Sequence, residues 1–462
     1  MVKKQGHPTI WIASSGLLVA AVLALSIVPQ SMAQGTSATQ DQALARFEQV
    51  YRFVLRNYVD EVDPDALIEG ALTGLLESLD DPHTTYLDTE AMRALTDTTS
   101  GEFGGVGMYI AKPAGESEDA THIEVISPIE GTPADRAGLR AGDIIVRVDG
   151  TSTLGLSSDD VVDMLRGRPG SDVEIRIRRS AQVEFDIVLE RAIIRVPTVR
   201  WDMIDDQIAF LRIVQFTPYT DDSVKDALET FEAAGYSSMI IDLRSNPGGL
   251  LDGVVDVADL FFDDGLIVET RGRVPSENQQ FFAGDGHQVP RSVDVVVLVD
   301  GGSASAAEIL AAVMQDRDRA LVLGQTTYGK GSVQQVRSLG TSGFRITMSR
   351  YYTPRGTSID LVGVEPDVVV VETDLTEDEE AGVARILSEN RVGDFVSRVG
   401  EPSELQVDSF LRELRSDGIT VDDRYVRRLV RVEANRAAGR DQIYDLDFDL
   451  MLQAAVEELR SR

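Results

Sequence analysis

The chain has no cysteine, and only four histidines, two tryptophans and five lysines in 462 residues. Without cysteine there is no disulfide, no thiolate nucleophile, no Cys-x-x-Cys redox pair and no cysteine zinc site. His7, His83, His122 and His287 form no HExxH or other close pair. Zinc hydrolase chemistry is therefore not supported. Positive charge is scarce as well: 44 Lys and Arg stand against 77 Asp and Glu, a formal net charge of −33. Binding phosphates needs a basic footprint, which argues against nucleic acid as a main partner and against docking on anionic lipid. No apolar run of membrane-spanning length follows residue 28.

What is present reads as globular. Apolar residues make up 43% and charged residues 26%, and the length suits two to four domains. Lys3 and Lys4 precede an apolar stretch from Ile10 to Val28, and Ser31-Met32-Ala33 follows in the small-x-small pattern of a signal peptidase site. Residues 1–33 are thus expected to be an export signal cleaved after Ala33. The alternative is an uncleaved membrane anchor. Both place the body outside the cytoplasm, in the periplasm or cell envelope, and membrane contact is expected only through this segment if it stays uncleaved.

Residues 34–97 read as a linker and a small helical region. Leu44, Phe47, Tyr51, Val54 and Tyr58 recur at helical spacing, and Asp63-Pro64 looks like a cap with proline at the first helical position. Residues 98–191 change to short strands with turns and two helices, the second over Ser158–Arg166. Residues 192–372 alternate apolar strands (Ile208–Ile213, Met239–Leu243, Val295–Val299) with helices (Leu250–Phe262, Ala304–Met314), which predicts an α/β core with a sheet covered on both faces. Residues 373–462 are charged and helical, with an arginine-rich face at Arg424, Arg427, Arg428 and Arg431. That tail could form a homodimer or pack on its own core.

Three glycine-containing loops of the α/β core are candidates for one site, since ligands bind where strand ends meet loops. They are Asp242–Gly249, Asp300–Glu308 and Gly324–Gly331, with Gln334 just beyond. Ser305 opens a helix, where backbone N–H groups and the helix dipole can hold an oxyanion. A serine needs a base, and no histidine lies in these loops. Lys330 does, and arginine, which outnumbers lysine 39 to 5, could not replace it as a base. On the bare residues, simpler readings stay open. Ser303 and Ser305 can be helix caps, Lys330 an exposed loop lysine, Asn246-Pro247-Gly248-Gly249 a turn, and Glu308 a first-turn acid.

At these residues the chain resembles the C-terminal processing peptidases, or tail-specific proteases. Tyr58-Val59-Asp60 and Leu79–Leu87 look like the family's amino-terminal signature. Gly104–Met108 and Pro133–Asp143 look like a PDZ domain. Ser303–Ile309, Gly329–Gln334, Tyr351-Tyr352-Thr353-Pro354 and Gly363–Asp367 are similar to motifs of the protease core. The resemblance implies a multidomain α/β protein: helical amino-terminal region, inserted PDZ domain, crotonase-like protease core, helical carboxy-terminal region. It implies a serine endopeptidase in which Ser305, 25 residues before Lys330, is the nucleophile, Lys330 the base, and Gln334 the residue that orients the lysine, with no metal or organic cofactor required. It also implies an oxyanion hole from the backbone of Ala306 and of Gly248 or Gly249. Ala307 departs from relatives that often carry serine there, at a position that is not catalytic in the pattern. The loop Gly105-Val106-Gly107-Met108 is implied to capture the free carboxylate of an apolar substrate tail, and Arg166 to link the PDZ domain to gating. The expected partners are protein or peptide substrates with free C-terminal tails, with an adaptor or activator protein as a further one. The competing readings are a catalytically silent PDZ scaffold, a partner-activated protease, and a crotonase-like lyase or hydratase.

Overall fold

The expected leader, its cleavage point at Ala33 and the linker to residue 40 lie outside the residues described by the computed structural model, which are 41–112, 122–179, 183–371, 375–440 and 442–462. Two units are distinguished, one ending at Asp88 and one running from Thr89 to Arg462. In the first, residues 41–57 are helical, and the helix Pro64–Glu77 starts as its sequence predicts. Asp63 caps it by accepting from Asp65 N at 2.9 Å, with Pro64 in the first turn. Asp81 then organises a turn, accepting from His83 N at 3.0 Å and Thr84 Oγ1 at 2.6 Å. The helix Thr89–Ser100, most of which lies within the expected region 34–97, falls in the second unit.

The second unit has three parts. The first is an antiparallel sheet of Met108–Ala111, Ile123–Pro128, Ile144–Val148, Asp172–Arg179 and Val183–Glu190, paired in that order. Its strand Asp172–Arg179 shows why: Val173, Ile175 and Ile177 are fully buried, while Glu174, Arg176 and Arg178 alternate on the other face. The helix Ser158–Leu165 closes this core with Val161 and Leu165 and is capped by a Ser157–Asp160 capping box.

The second part is the α/β core. Its sheet runs Val199–Met203, Ile208–Ile213, Ser238–Asp242, Asp294–Val299, Leu321–Gly324, Val368–Val369, and all pairs but the first are parallel. Alternate residues feed two different cores. Leu211, Met239, Ile241, Val295 and Val297 meet the helices Thr220–Ala234, Leu251–Asp259 and Ala306–Asp316. Phe210, Ile240, Val296 and Leu298 meet Met451, Leu452, Ala455 and Val456 of the last helix, Leu450–Ser461. Double-sided burial is what the uninterrupted apolar strands require. A smaller antiparallel group, Leu266–Gly272, Gln279–Phe282, Ser332–Leu339 and Ser342–Tyr352, stands beside it.

The third part is a bundle of Glu377–Ser388, Arg391–Val399, Glu404–Ser416 and Asp423–Ala437 around Phe395 and Phe410, whose rings stack at 4.4 Å. The carboxy-terminal stretch is therefore divided: these four helices bury their own core, while the last helix covers the α/β sheet. Among the described residues no helix is long and apolar enough to cross a membrane.

Candidate active site

The strands Ser238–Asp242, Asp294–Val299 and Leu321–Gly324 all end at the same edge of the sheet, and each runs into one of the three loops. Cross-bonds join them. Ser303 Oγ donates to Leu243 O at 2.8 Å, Ala304 N to Asn246 O at 2.9 Å, Ser245 N to Asp300 Oδ1 at 2.8 Å, and Tyr328 N to Ser303 O at 3.0 Å. Ser303 is fully buried in this scaffold. Its hydroxyl is held as a structural group, and Ser305 is the N-cap of the helix Ala306–Asp316.

Ser305 sits at the turn from loop to helix with φ +56° and ψ −113°, a conformation few side chains adopt. Such strain costs on the order of 1–3 kcal/mol and collects at functional sites. Ala306 N, in the first turn of the helix, donates to no acceptor among the described residues. Gly248 lies directly against this point: a Cβ there would be 2.8 Å from Ser305 Cβ and 2.9 Å from Ala306 N. Its φ of +101° is likewise glycine's territory. The Gly248 N–H is already held by Asn246 Oδ1 at 2.8 Å. The Gly249 N–H has no such acceptor among the described residues, while its neighbours bind Phe216 on both sides, Phe216 N to Gly248 O and Leu250 N to Phe216 O, each at 2.9 Å. Of the two glycines left open by the sequence, Gly249 has the uncommitted amide.

Glu308 is the first-turn acid expected of it, in a capping box with Ser305, but its carboxylate does more than cap the helix. It is the one charged residue between Ala304 and Met314 and is fully buried. Its Oε1 accepts from Thr327 Oγ1 at 2.5 Å and Gly329 N at 2.7 Å. Its Oε2 accepts from Ser305 N at 2.7 Å and Lys330 N at 2.8 Å. One carboxylate oxygen thus holds the backbone of both Ser305 and Lys330. The signal was in the sequence, a lone acid on an apolar helix, but its partners lie 19 to 22 residues ahead in another loop.

Lys330 is half-buried. Burial, and next the nearby Arg345 cation, push its pKa below the ordinary lysine value, with Glu308 partly opposing. Among the described residues no hydrogen bond joins Lys330 Nζ to Ser305 or Gln334. The Gln334 amide instead donates to Ser332 Oγ at 2.8 Å and Ser332 O at 3.0 Å. The Ser305 hydroxyl meets the phenol of Tyr351, whose pKa is pushed up to about 12 chiefly by burial, with the Ser305 hydrogen bond pulling the other way. Tyr351 N also donates to Gly331 O at 2.7 Å. In the sequence Tyr351 is legible only as part of the closing-strand motif Tyr351-Tyr352-Thr353-Pro354. Its approach to Ser305 depends on the pairing of Ser342–Tyr352 with Ser332–Leu339, which no local pattern reports.

In the antiparallel module, Gly105, Val106, Gly107 and Met108 line a cavity of about 170 Å³ with Ile110, Ile129, Val162, Leu165 and Arg166. The carbonyls of Val106 and Gly107 accept from Ala134 N at 2.9 Å and Ile129 N at 3.0 Å. Their own N–H groups have no acceptor among the described residues. Gly107 has φ +79°, and a Cβ there would lie 2.4 Å from Thr132 Cβ. Arg166 pairs with Asp97 at 3.0 Å and covers the Phe103 ring at 4.9 Å, while its Nε is buried without a partner. It also lines a second cavity of about 210 Å³ with Thr98, Gln215 and Thr217. Among the described residues no three His, Cys, Asp or Glu side chains gather as a metal would require.

Residues 207–370 match Peptidase family S41, residues 124–179 a PDZ domain, and residues 20–91 the activating protease CtpB N-terminal domain. A carboxy-terminal-processing protease of Bartonella bacilliformis is 39% identical over 352 residues, 75% of this chain and 79% of that protein. The carboxy-terminal processing protease CtpA of Bacillus subtilis is 32% identical over 354 residues, 76% of this chain and 74% of that protein. Among solved structures, a photosystem II D1 C-terminal processing protease is 31% identical and aligns over 74% of this chain and 96% of its own, with a TM-score of 0.42.

Proposed function

Since this chain belongs to peptidase family S41, the carboxy-terminal-processing proteases, we propose that it cleaves protein tails by a Ser305–Lys330 dyad outside the cytoplasm. The observation that carries this reading is the buried Glu308 oxygen shared by Ser305 N and Lys330 N, which yokes nucleophile and base loops into one unit. Neutral Lys330 takes the proton of Ser305 Oγ as that oxygen attacks the scissile carbonyl. The tetrahedral oxyanion lies on the amides of Ala306 and Gly249, with Gly248 giving the close approach. Lys330 then protonates the leaving amine, and water repeats the sequence on the acyl-enzyme. The free amides of Val106 and Gly107 receive the substrate's terminal carboxylate, and Ile110, Ile129, Val162 and Leu165 its apolar side chain. The apolar stretch Ile10–Val28 followed by Ser31-Met32-Ala33 supports an export signal over residues 1–33 and with it the extracytoplasmic setting, and the proposed divisions after it are residues 34–97, 98–191, 192–372 and 373–462.

One observation favours a protease that awaits activation. Gln334 is turned to Ser332, and Lys330 is not bonded to Ser305. Arg166 is the proposed link: it borders the tail cavity and binds Asp97, while Gln215 Nε2 donates to nearby Thr98 O at 3.1 Å and is followed by Phe216, which holds Gly248 and Leu250. Tail capture, or an activating partner, would shift this chain of contacts and turn Gln334 to Lys330.

The test is digestion of an unfolded protein with a free apolar C-terminus, wild type against Ser305→Ala, with fragments identified by mass. Cleavage by wild type alone, and slower cleavage when the tail is amidated, is expected. Equal cleavage by both proteins would refute Ser305 as nucleophile. Equal rates for free and amidated tails would refute carboxylate capture.

A further inference from the structure

The oxyanion turn begins at Arg244, three residues before Pro247. The Arg244 guanidinium is bound on two sides. Nε and Nη2 donate to Asp242 Oδ1 and Oδ2 at 2.9 and 2.8 Å, and Nη1 and Nη2 donate to Asp449 Oδ1 and Oδ2 at 2.8 and 2.6 Å. Arg244 N adds a bond to Asp242 Oδ1 at 3.0 Å. Asp242 is fully buried, and the Arg244 and Asp449 side chains are only 14% and 13% exposed. Asp449 comes from 205 residues further along the chain. It is the N-cap of the last helix, accepting from Leu452 N at 2.9 Å.

Resting on the reading of Gly248-Gly249 as an oxyanion turn, we infer that Asp449, the N-cap of the last helix, is a positioning residue for that turn, acting through Arg244. A planar guanidinium gripped bidentately by two carboxylates has its orientation fixed as well as its place. Arg244 is thereby held rigid, and with it the start of the segment Ser245–Gly249. Burial alone disfavours the Arg244 charge. The bonds and charges of Asp242 and Asp449 more than reverse this and hold the guanidinium above its ordinary range. Asp449 is held below the usual carboxylate range, because Arg244 outweighs its own burial. The helix does not need this cluster for docking. Met451, Leu452, Ala455, Val456 and Leu459 already bury it on the sheet, and a buried ion pair is weak evidence for net stability. What the cluster adds is geometry.

The experiment compares the full-length wild type, Ser305→Ala, Asp449→Asn, Arg244→Lys and Leu452→Ala on one peptide substrate, with binding of a peptidyl boronic acid as a tetrahedral analogue. Asparagine keeps the helix cap but not the charged grip, and lysine cannot span both carboxylates. Asp449→Asn and Arg244→Lys are expected to lower kcat tenfold or more with KM within threefold, and to weaken boronate binding by the same factor as kcat/KM. Leu452→Ala, which removes side-chain packing on the sheet but keeps the backbone N–H that Asp449 accepts, is expected to lower Tm and leave kcat at 25 °C within twofold. Unchanged kcat and boronate affinity in Asp449→Asn would overturn the inference. So would a Leu452→Ala loss of kcat as large as that of Asp449→Asn, since the role would then be stability. A wild type no more active than Ser305→Ala would instead refute the proposed function itself.

Discussion

Lys330 carries a base's requirement in its surroundings. Burial and Arg345 disfavour its ammonium form, so it loses its proton at a pH below the ordinary 10.5. In the proposed mechanism the neutral form is the active one, so kcat/KM should rise with pH and level off before that value. Glu308 acts in the opposite sense, since its charge favours the ammonium. In Glu308→Gln the rise should therefore move to lower pH, while kcat falls because the shared acceptor of Ser305 N and Lys330 N is weakened. A pH–rate profile of the two proteins checks both statements, and an unmoved profile would contradict the electrostatic part. Lys330→Arg should be inactive at every pH, because guanidinium does not deprotonate.

At the scale of elements, the site is an agreement between three strand ends. The loops differ in how much space they leave, and the difference is testable. At Gly248 a Cβ would press on Ala304 O, Ser305 Cβ and Ala306 N at 2.7 to 2.9 Å, in a backbone with φ +101°. At Gly301, in the neighbouring loop, nothing lies within 4 Å of the same atom. Gly248→Ala should cost about 100-fold or more in kcat, because displacing the turn moves the Gly249 and Ala306 amides from the oxyanion, on the scale of a lost donor. Gly301→Ala should be near wild type in steady-state kinetics. Similar activity in both variants would mean that the turn does not frame the reacting atoms. The elements themselves were legible from pattern: the strands near 208, 239 and 295 and the helices near 251 and 306 fall within a few residues of their expected positions. The uses of Glu308, Tyr351 and Arg244 were not, because each depends on a partner in another element.

Over the whole molecule, a net charge of −33 opposes compaction. The arginines of the carboxy-terminal bundle offset part of it locally. Arg391 joins Glu389, Glu413 and Asp417, with the last at 2.5 Å, and Arg427 joins Glu404 and Asp408. Exposed pairs of this kind are each worth only about 0–1 kcal/mol. The long-range repulsion has far more members, and it is screened over roughly 30 Å at 0.01 M salt but roughly 8 Å at 0.15 M. Repulsion should win: Tm should rise by several degrees, on the order of 1 kcal/mol or more, between those two salt concentrations in thermal melts. A fall in Tm would mean that the arginine pairs dominate.

The sequence by itself determined the strand and helix rhythm, the order of the three loops and the serine, lysine and glycines they carry. Those are local facts, set by residue type and spacing along the chain. Only the tertiary structure decided that one buried carboxylate binds both the serine and the lysine backbones, that Asn246 occupies the Gly248 amide and leaves that of Gly249, and that the final helix covers the sheet instead of joining its neighbours. The reason is physical. A hydrogen bond or an ion pair needs two groups within about 3 Å, and for these groups the folded sheet alone brings the partners, some of them two hundred residues apart, to that distance.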